Sequence, residues 1–296
     1  MNTTLPTLTT RHVVLAVAVT AIWGSNFVVI KYAMTFLPPL LMAALRFALA
    51  AFPLVLFVRR PAAAWGNLAL YGLTIGAGQF GLLFYAMADD ISPGLASLVV
   101  QSQVFFTVGL AMAVSGEHVR GFQLLAALIA IVGIVIIGWH ADVHTTILGL
   151  ILTLLAALFW AIGNMASRAA GPVNVLAYIA WSSLFAIPPL LLMSVVFEGW
   201  PRIVAGFTGA DGLTWAAVAW QSVGNTIFGY GAWAWLLARY PAATVTPFAL
   251  LVPVFGMGAS AFFLGEPLPA WKLLAAGLVM AGLALNLLWP RLAPRG

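Results

Sequence analysis

The sequence predicts an all-α integral membrane protein whose ten transmembrane helices form two inverted five-helix repeats. Three observations predict this fold: charged residues are scarce, apolar residues come in blocks of about 20, and several motifs occur twice along the chain. Of the 296 residues, 64% are hydrophobic and 6% are charged, and the mean hydropathy is +1.08. Because soluble domains carry about 25% charged residues, lipid is expected to solvate much of this protein.

The apolar blocks have the length of membrane-spanning helices. A hydrocarbon core of roughly 30 Å needs about 20 helical residues, and the blocks lack the strict alternation of a membrane β-barrel. Short connections separate the blocks, and the longest connection is expected at 197–212. The ten predicted spans, numbered in chain order, are 12–32, 38–58, 65–88, 93–113, 120–139, 145–167, 173–196, 213–237, 242–263 and 269–289.

The basic residues indicate how the chain is oriented. If the N-terminus is cytoplasmic, eight Lys and Arg residues fall on the cytoplasmic side and three fall outside. Because basic residues near span ends favour the cytoplasm, both termini are predicted to be cytoplasmic, in a multi-pass protein of a bacterial inner membrane. This scatter also explains the net charge of +5 without a nucleic-acid partner. The outer group is Lys31, Arg202 and Lys272, and the inner group is Arg11, Arg59, Arg60, Arg120, Arg168, Arg239, Arg291 and Arg295.

Matching motifs divide the chain into two predicted repeats, residues 1–140 and 141–296. In each repeat a Gly-Glu pair is followed, at identical spacing, by Leu-Leu-Ala-Ala and then by Gly. Because each repeat has an odd number of spans, the second crosses the membrane in the opposite sense, an arrangement typical of transporters that work by alternating access. The matching residues are Gly116-Glu117 and Gly265-Glu266, Leu124 to Ala127 and Leu273 to Ala276, Gly133 and Gly282, Trp23 and Trp160, Lys31 and Arg168, and Pro53 and Pro188.

Three motifs together resemble the ten-helix EamA-type branch of the drug/metabolite transporter superfamily. They are Trp23-Gly24-Ser25-Asn26 leading to Lys31, Leu45-Arg46-Phe47, and the Gly-Glu pairs that close the fourth and ninth spans. Within that family the chain is most similar to bacterial inner-membrane exporters of aromatic and other amino acids. The resemblance implies a central cavity lined by spans one, three, four, six, eight and nine, with the other four spans outside. The second half carries Trp160-Ala161-Ile162-Gly163-Asn164 instead of the first motif, so a strictly two-fold symmetric site is not expected.

Polar and aromatic residues near the middle of the spans are the candidate substrate-binding residues. Amides in lipid need hydrogen-bond partners, which either a neighbouring helix or a solute supplies. Gln101 and Gln103 lie on different faces of span four, so only one of them, taken as Gln101, is expected to line a cavity. The amides converge on the spans that the resemblance places around the cavity. We therefore predict a polar, aromatic-edged substrate cavity formed by Trp23, Asn26, Gln79, Gln101, Trp160, Asn164, Gln221, Asn225 and Tyr230.

Charged residues bear on the transport mechanism. Every Asp and Glu is expected at a span end or in a connection, so no carboxylate is available at the midplane to exchange a proton. Arg46 falls in the middle of span two, where a charge costs about 2.5–3.5 kcal/mol. A structural interpretation pairs Arg46 with helix-end carbonyls or with Asp89 or Asp90, whereas a functional one pairs it with a substrate carboxylate. Because span two is expected in the outer layer, the structural interpretation is favoured.

Glycine and proline residues in the spans have structural interpretations. Residues 76–81 match a dinucleotide-binding pattern, but they lie inside an apolar span instead of following a strand. Close helix packing is therefore predicted for them. Pro253, in the middle of span nine, is a predicted hinge because proline removes a helical hydrogen bond. A static kink is the alternative.

The predicted function is that of a secondary transporter, which exports amino acids, including aromatic ones, or similar small neutral or zwitterionic metabolites. Facilitated diffusion or exchange is favoured. The expected partners are a small-molecule substrate and the lipid bilayer, with no cofactor, metal or catalytic residue, and the oligomeric state stays open. The first alternative, a proton-coupled exporter of cationic drugs, would need a midplane carboxylate. A membrane-embedded enzyme would need a catalytic pair, and a channel would need a charged ring or filter motif, within the spans.

Overall fold

The computed structural model describes residues 8–52, 54–115, 120–142 and 145–292, and the regular elements in these residues are all helices. The all-α prediction is therefore confirmed. The helices keep the numbers of the predicted spans, and their ends lie within a few residues of the predicted ones. They are helix 1 (Thr10–Ala33), helix 2 (Pro39–Phe57), helix 3 (Trp65–Asp89), helix 4 (Pro93–Val114), helix 5 (Gly121–Trp139), helix 6 (Ile147–Ala169), helix 7 (Val175–Glu198), helix 8 (212–239), helix 9 (242–264) and helix 10 (Ala270–Leu292).

Nine of the described helices are long and apolar enough to cross a membrane, and helix 8 is the exception. Helix 8 is continuous over 212–239. Its Gln221 and Asn225, together with several tryptophans and glycines, lower its hydropathy. The prediction of ten spans therefore agrees with the number of long helices, but not with the number that apolarity alone identifies.

The predicted loop 197–212 contains a short helix, Trp200–Gly209, which the sequence analysis missed. Gly199 has a positive φ of 81° and ends helix 7, and Pro201 lies in the first turn of the new helix. Glycine after a helix end and proline in a first turn are ordinary stop and start signals. The short helix packs on the beginning of helix 2, where a Cβ on Gly206 would lie 2.8 Å from Pro38 Cδ.

Helices 3, 4, 8 and 9 each contain an irregular segment between their ends. Helices 3 and 8 each contain a π-helical segment, Gly72–Gly81 and Gln221–Phe228. Helices 4 and 9 each contain a 3-10 segment, Val100–Ser102 and Thr246–Leu250. Irregular backbone within a membrane is tolerated where protein or a water-filled cavity surrounds it. These four helices are therefore candidates for lining a cavity.

Glycines mark the closest helix contacts. A Cβ on Gly133 would lie 2.8 Å from the carbonyl oxygen of Ala275, and one on Gly282 would lie 2.5 Å from that of Ala126. Helices 5 and 10 therefore run antiparallel, and the duplicated motif of each half packs on that of the other. The repeat boundaries stay a prediction, and Gly116-Glu117 and Pro53 lie outside the described residues.

The glycine-rich segment of helix 3 is a packing surface. Gly76 lies against Ala186 of helix 7, and a Cβ on Gly78 would lie 2.5 Å from the ring of Phe159 in helix 6. A larger side chain at either position would force the helices apart. The prediction of close helix packing for residues 76–81 is confirmed.

Candidate functional site

A central cavity of about 480 Å³ lies between the helices, within the size range of small-molecule sites. Helix 10 contributes Leu283 and Leu287 to its wall, which corrects the expectation that this helix lies only in the outer layer. Helix 10 packs beside the 3-10 segment of helix 9, and this segment itself lines the cavity, so the neighbouring face of helix 10 reaches it. The predicted site residues in the wall are Trp23, Asn26, Gln79, Gln101, Trp160, Asn164, Asn225 and Tyr230.

Gln221 is the one predicted site residue that does not line the cavity. Its Nε2 donates to Asn26 Oδ1 at 2.6 Å, and Asn26 Nδ2 donates to Gln221 Oε1 at 3.0 Å. Gln221 is 0% exposed, because it begins the π-helical segment of helix 8 on the side that faces helix 1. Gln221 therefore fixes the orientation of Asn26 from behind the cavity wall, and its direct contact with a solute stays a prediction.

Gln103 lines the cavity as well as Gln101, contrary to the expectation that only one of them would do so. Residues two apart are separated by about 160° around an α-helix but by about 120° around a 3-10 helix. The 3-10 segment Val100–Ser102 therefore brings the two side chains closer together around the helix axis. Asn164 Nδ2 donates to Gln103 Oε1 at 2.9 Å and to Thr107 Oγ1 at 3.2 Å, which ties helix 6 to helix 4.

Aromatic rings form one part of the cavity wall. The centroid of Trp23 lies 5.3 Å from that of Tyr230 and 5.2 Å from that of Trp233. Trp23 Nε1 donates to the backbone oxygen of Asn225 at 3.2 Å, which holds the indole in place. Sequence reasoning missed Trp233, although it follows Tyr230 at helical spacing. Such rings pack on apolar groups and attract cations over their faces.

Gln79 lines the cavity with an unused acceptor. It is 3% exposed, and its Oε1 has no hydrogen-bond partner among the described residues. A buried polar atom without a partner is costly. A donor within the cavity, from water or from a solute, would remove that cost.

Arg46 is buried without the structural partners that the sequence predicted. Its Nη2 donates to Thr226 Oγ1 at 3.3 Å, and its guanidinium carbon lies 3.8 Å from the centroid of the Phe80 ring. No helix-end carbonyl among the residues that the structure describes bonds to its guanidinium. Asp90, at the end of helix 3, accepts instead from Thr146 Oγ1 at 2.8 Å, where helix 6 begins. The expected pairing with Asp89 or Asp90 was therefore wrong, because these acids lie at a helix end and Arg46 lies in mid-helix.

The described acids lie at helix ends or in connections, as predicted. Glu266 accepts from the backbone N–H of Gly94 and from Lys272 Nζ, both at 2.9 Å, and bonds to the hydroxyls of Ser92 and Ser260. Burial would raise the pKa of Glu266, but the bonds from Ser260, Ser92 and Lys272 hold it below its ordinary value. Glu266 thereby fastens the end of helix 9 to the beginning of helix 4.

Pro253 is buried in helix 9, as the third residue after its 3-10 segment. The neighbouring carbonyl oxygen of Val252 would lie 2.5 Å from a Cβ on Gly24 of helix 1. The predicted hinge therefore lies beside the closest contact between helices 1 and 9, and the hinge itself stays a prediction.

Comparison with known proteins identifies the family. The profile of the EamA-like transporter family matches residues 10–139 and 147–288. The chain belongs to this family. The resemblance indicated by the motifs is confirmed, and with it the assignment of a multi-pass membrane transporter with a small-molecule substrate.

Two curated relatives in this family carry the name "Probable amino-acid metabolite efflux pump". The protein from Salmonella typhimurium is 41% identical over 279 residues, which cover 92% of this chain and 93% of the relative. The protein from Escherichia coli is 40% identical over 280 residues, with the same coverage. One crystal structure matches 97% of this EamA-family chain and 99% of its own chain, with a TM-score of 0.64 and 18% identity, and it supports the fold alone.

Proposed function

We propose that this EamA-family protein exports amino acids, including aromatic ones, or similar neutral or zwitterionic metabolites across a bacterial inner membrane by alternating access. The observation that carries the proposal is the central cavity, which combines amides with an aromatic cluster. The names of the two efflux-pump relatives support the same class of substrate.

The wall of the cavity suits the two ends of a zwitterion. Gln79, Gln101 and Asn225 offer amide groups to an ammonium or a carboxylate. Trp23, Tyr230 and the nearby Trp233 offer ring faces to an apolar or aromatic side chain. Asn26 and Asn164 are held by neighbouring helices and shape the wall.

Alternating access would follow from the two inverted repeats. The reciprocal contacts of Gly133 and Gly282 in the antiparallel pair of helices 5 and 10 support this arrangement. At the opposite end of the bundle from both termini, Lys31 Nζ donates to the carbonyls of Met87 at 3.0 Å and Ala88 at 2.5 Å, and Glu266 joins helices 9 and 4. These bonds join helices at the predicted outer end and support a conformation that is closed there, so the cavity would load from the cytoplasm.

Transport would be uncoupled from protons, by facilitated diffusion or exchange. The described acids lie away from the middle of the helices, and the partly buried Glu266 is engaged with Lys272 and with the backbone N–H of Gly94. A proton-coupled exporter normally places a titratable carboxylate on the transport path.

Uptake into proteoliposomes of a labelled amino-acid panel, with and without a pH gradient, tests the proposal. Saturable uptake of several amino acids at the same rate under both conditions is expected, and protein-free liposomes are the control. Strong acceleration by the gradient would overturn the uncoupled mechanism. Transport of a cationic dye but of no amino acid would overturn the substrate class.

A further inference from the structure

Arg46 is a buried cation for which the described residues supply no anionic partner. It is 2% exposed, and its Nε and Nη1 have no hydrogen-bond partner among the described residues. The guanidinium makes one hydrogen bond within the described part of the chain, to Thr226 Oγ1, and this bond is 3.3 Å long. A guanidinium has five N–H donors, so most of the donor capacity of Arg46 is unused.

A purely structural role does not account for this arrangement. An arginine that stabilises a bundle within lipid normally satisfies its donors with carboxylates or backbone carbonyls. The described residues supply Arg46 with a hydroxyl and with the face of Phe80. An acceptor group with negative charge is the missing component.

The space beside Arg46 adjoins the central cavity. A small cavity of about 20 Å³ lies against Arg46 and Thr226, with room for about one water molecule. Phe80 and Tyr230 line both this small cavity and the central one. These two aromatic side chains therefore form a wall that the two cavities share, and the hydroxyl of Tyr230 adds a potential donor.

We propose that Arg46 recognises the carboxylate of the transported solute, and that this carboxylate lies at the wall formed by Phe80 and Tyr230. This inference rests on the proposed function and adds its specificity determinant. The guanidinium then acts on the carboxylate through this wall, while water in the small cavity can accept from its unused donors. Across a separation of roughly 10 Å at an effective dielectric constant of about 20, the attraction favours a carboxylate over a neutral group by about tenfold. The remaining ammonium and side chain then face the amides and the aromatic cluster.

Phenylalanine and its amide, which lacks the carboxylate charge, are suitable probes. Initial rates into proteoliposomes would be measured for the wild type, Arg46→Lys and Arg46→Met. The wild type is expected to prefer phenylalanine by about tenfold, Arg46→Lys to keep most of this preference, and Arg46→Met to reduce it below about twofold. Arg239→Met is the matched control, because Arg239 also stacks on a ring, that of Trp235 at 3.8 Å, but is exposed at a helix end. It should keep the wild-type preference.

A thermal-shift measurement separates this inference from the proposed function. Phenylpropionate, but not its amide, should raise the melting temperature of the detergent-solubilised wild type, and this test needs no variant to fold. Equal shifts from the two compounds, or an undiminished preference in Arg46→Met, would overturn the role of Arg46 while amino-acid export stands. A wild type that moves no amino acid but is stabilised by phenylpropionate alone would overturn the export proposal and support carboxylate recognition.

Discussion

Helices 1 and 6 carry matching motifs, and each makes one close contact at a glycine and one amide hydrogen bond. The neighbouring helices that receive these two contacts differ between the two halves. Helix 1 packs closely on helix 9 at Gly24 and forms the amide pair Asn26–Gln221 with helix 8. Helix 6 instead packs closely on helix 3, where Gly163 lies against Ile75, and its Asn164 bonds to helix 4. In the proposed repeats, helices 3 and 4 are the counterparts of helices 8 and 9.

The difference shows what duplication preserved and what it did not. The irregular backbone is preserved, because π-helical segments occur in helices 3 and 8 and 3-10 segments in helices 4 and 9. The positions of the amides are not preserved: where helix 1 has Asn26, the matching position of helix 6 has Gly163. The cavity is therefore asymmetric, and we infer that a solute occupies it in one orientation.

The largest expected effect comes from crowding the two close contacts. A Cβ on Gly24 would lie 2.5 Å from the backbone oxygen of Val252 and 2.9 Å from the backbone nitrogen of Gly256. Gly24→Ala should lower the free energy of unfolding by about 1–3 kcal/mol, because backbone has to move. Gly163→Ala meets the end of the Ile75 side chain instead, so its cost should be smaller. Unfolding in mixed micelles measures both.

The double variant Ile75→Ala, Gly163→Ala is the control for this comparison. Shortening Ile75 makes room for the new methyl group. The double variant should therefore have the same free energy of unfolding as Ile75→Ala alone. Equal losses in Gly24→Ala and Gly163→Ala would contradict the distinction between a backbone contact and a side-chain contact.

The amide pairs should differ by a smaller amount. Asn26→Leu leaves the fully buried Gln221 amide without a partner, so a loss of about 1–2 kcal/mol is expected. Adding Gln221→Leu should restore part of this loss, with a coupling of about 0.6–1.7 kcal/mol. Asn164→Leu should cost less stability, because Gln103 lines the cavity and water can replace the lost bond. A double-mutant cycle for each pair measures its coupling free energy. Equal coupling free energies for Asn26–Gln221 and Asn164–Gln103 would contradict the expected difference between the two pairs.

Length, hydropathy and the duplicated motifs were enough to predict the helices, and the family resemblance together with the mid-span polar residues predicted most of the cavity wall. Trp23, Asn164 and Asn225 could be placed because mid-span polar and aromatic residues on candidate lining helices have few other places to go. The sequence does not reveal the exact rotation of a helix, however. Gln221 faces helix 1 and Gln103 faces the cavity because π-helical and 3-10 segments change the angle per residue.

The surroundings of Arg46 could not be predicted for a related reason. Its partners come from helices 3 and 8, and hydropathy does not specify which faces of distant helices meet. The acids of the connections were candidate partners by charge alone, whereas Asp90 is engaged by the N-cap residue Thr146. Pairings between distant segments depend on tertiary packing, which a single sequence does not contain.

The smallest effect on stability, and the most informative one for mechanism, is expected at Pro253. Helix 4 forms its 3-10 segment with Val104 at the matching position, so proline is not needed for that geometry. Its specific effect in helix 9 is to prevent residue 253 from bonding to the carbonyl of Ala249. Pro253→Ala should restore that bond, stiffen helix 9 beside its contact with Gly24, and slow transport several-fold with normal membrane insertion. Pro188→Ala, at an exposed position of helix 7 that does not line the central cavity, should leave the rate unchanged. Because both variants gain one backbone donor, a rate that falls only in Pro253→Ala would assign the moving part to helix 9, and wild-type rates in both would leave Pro253 as a static kink.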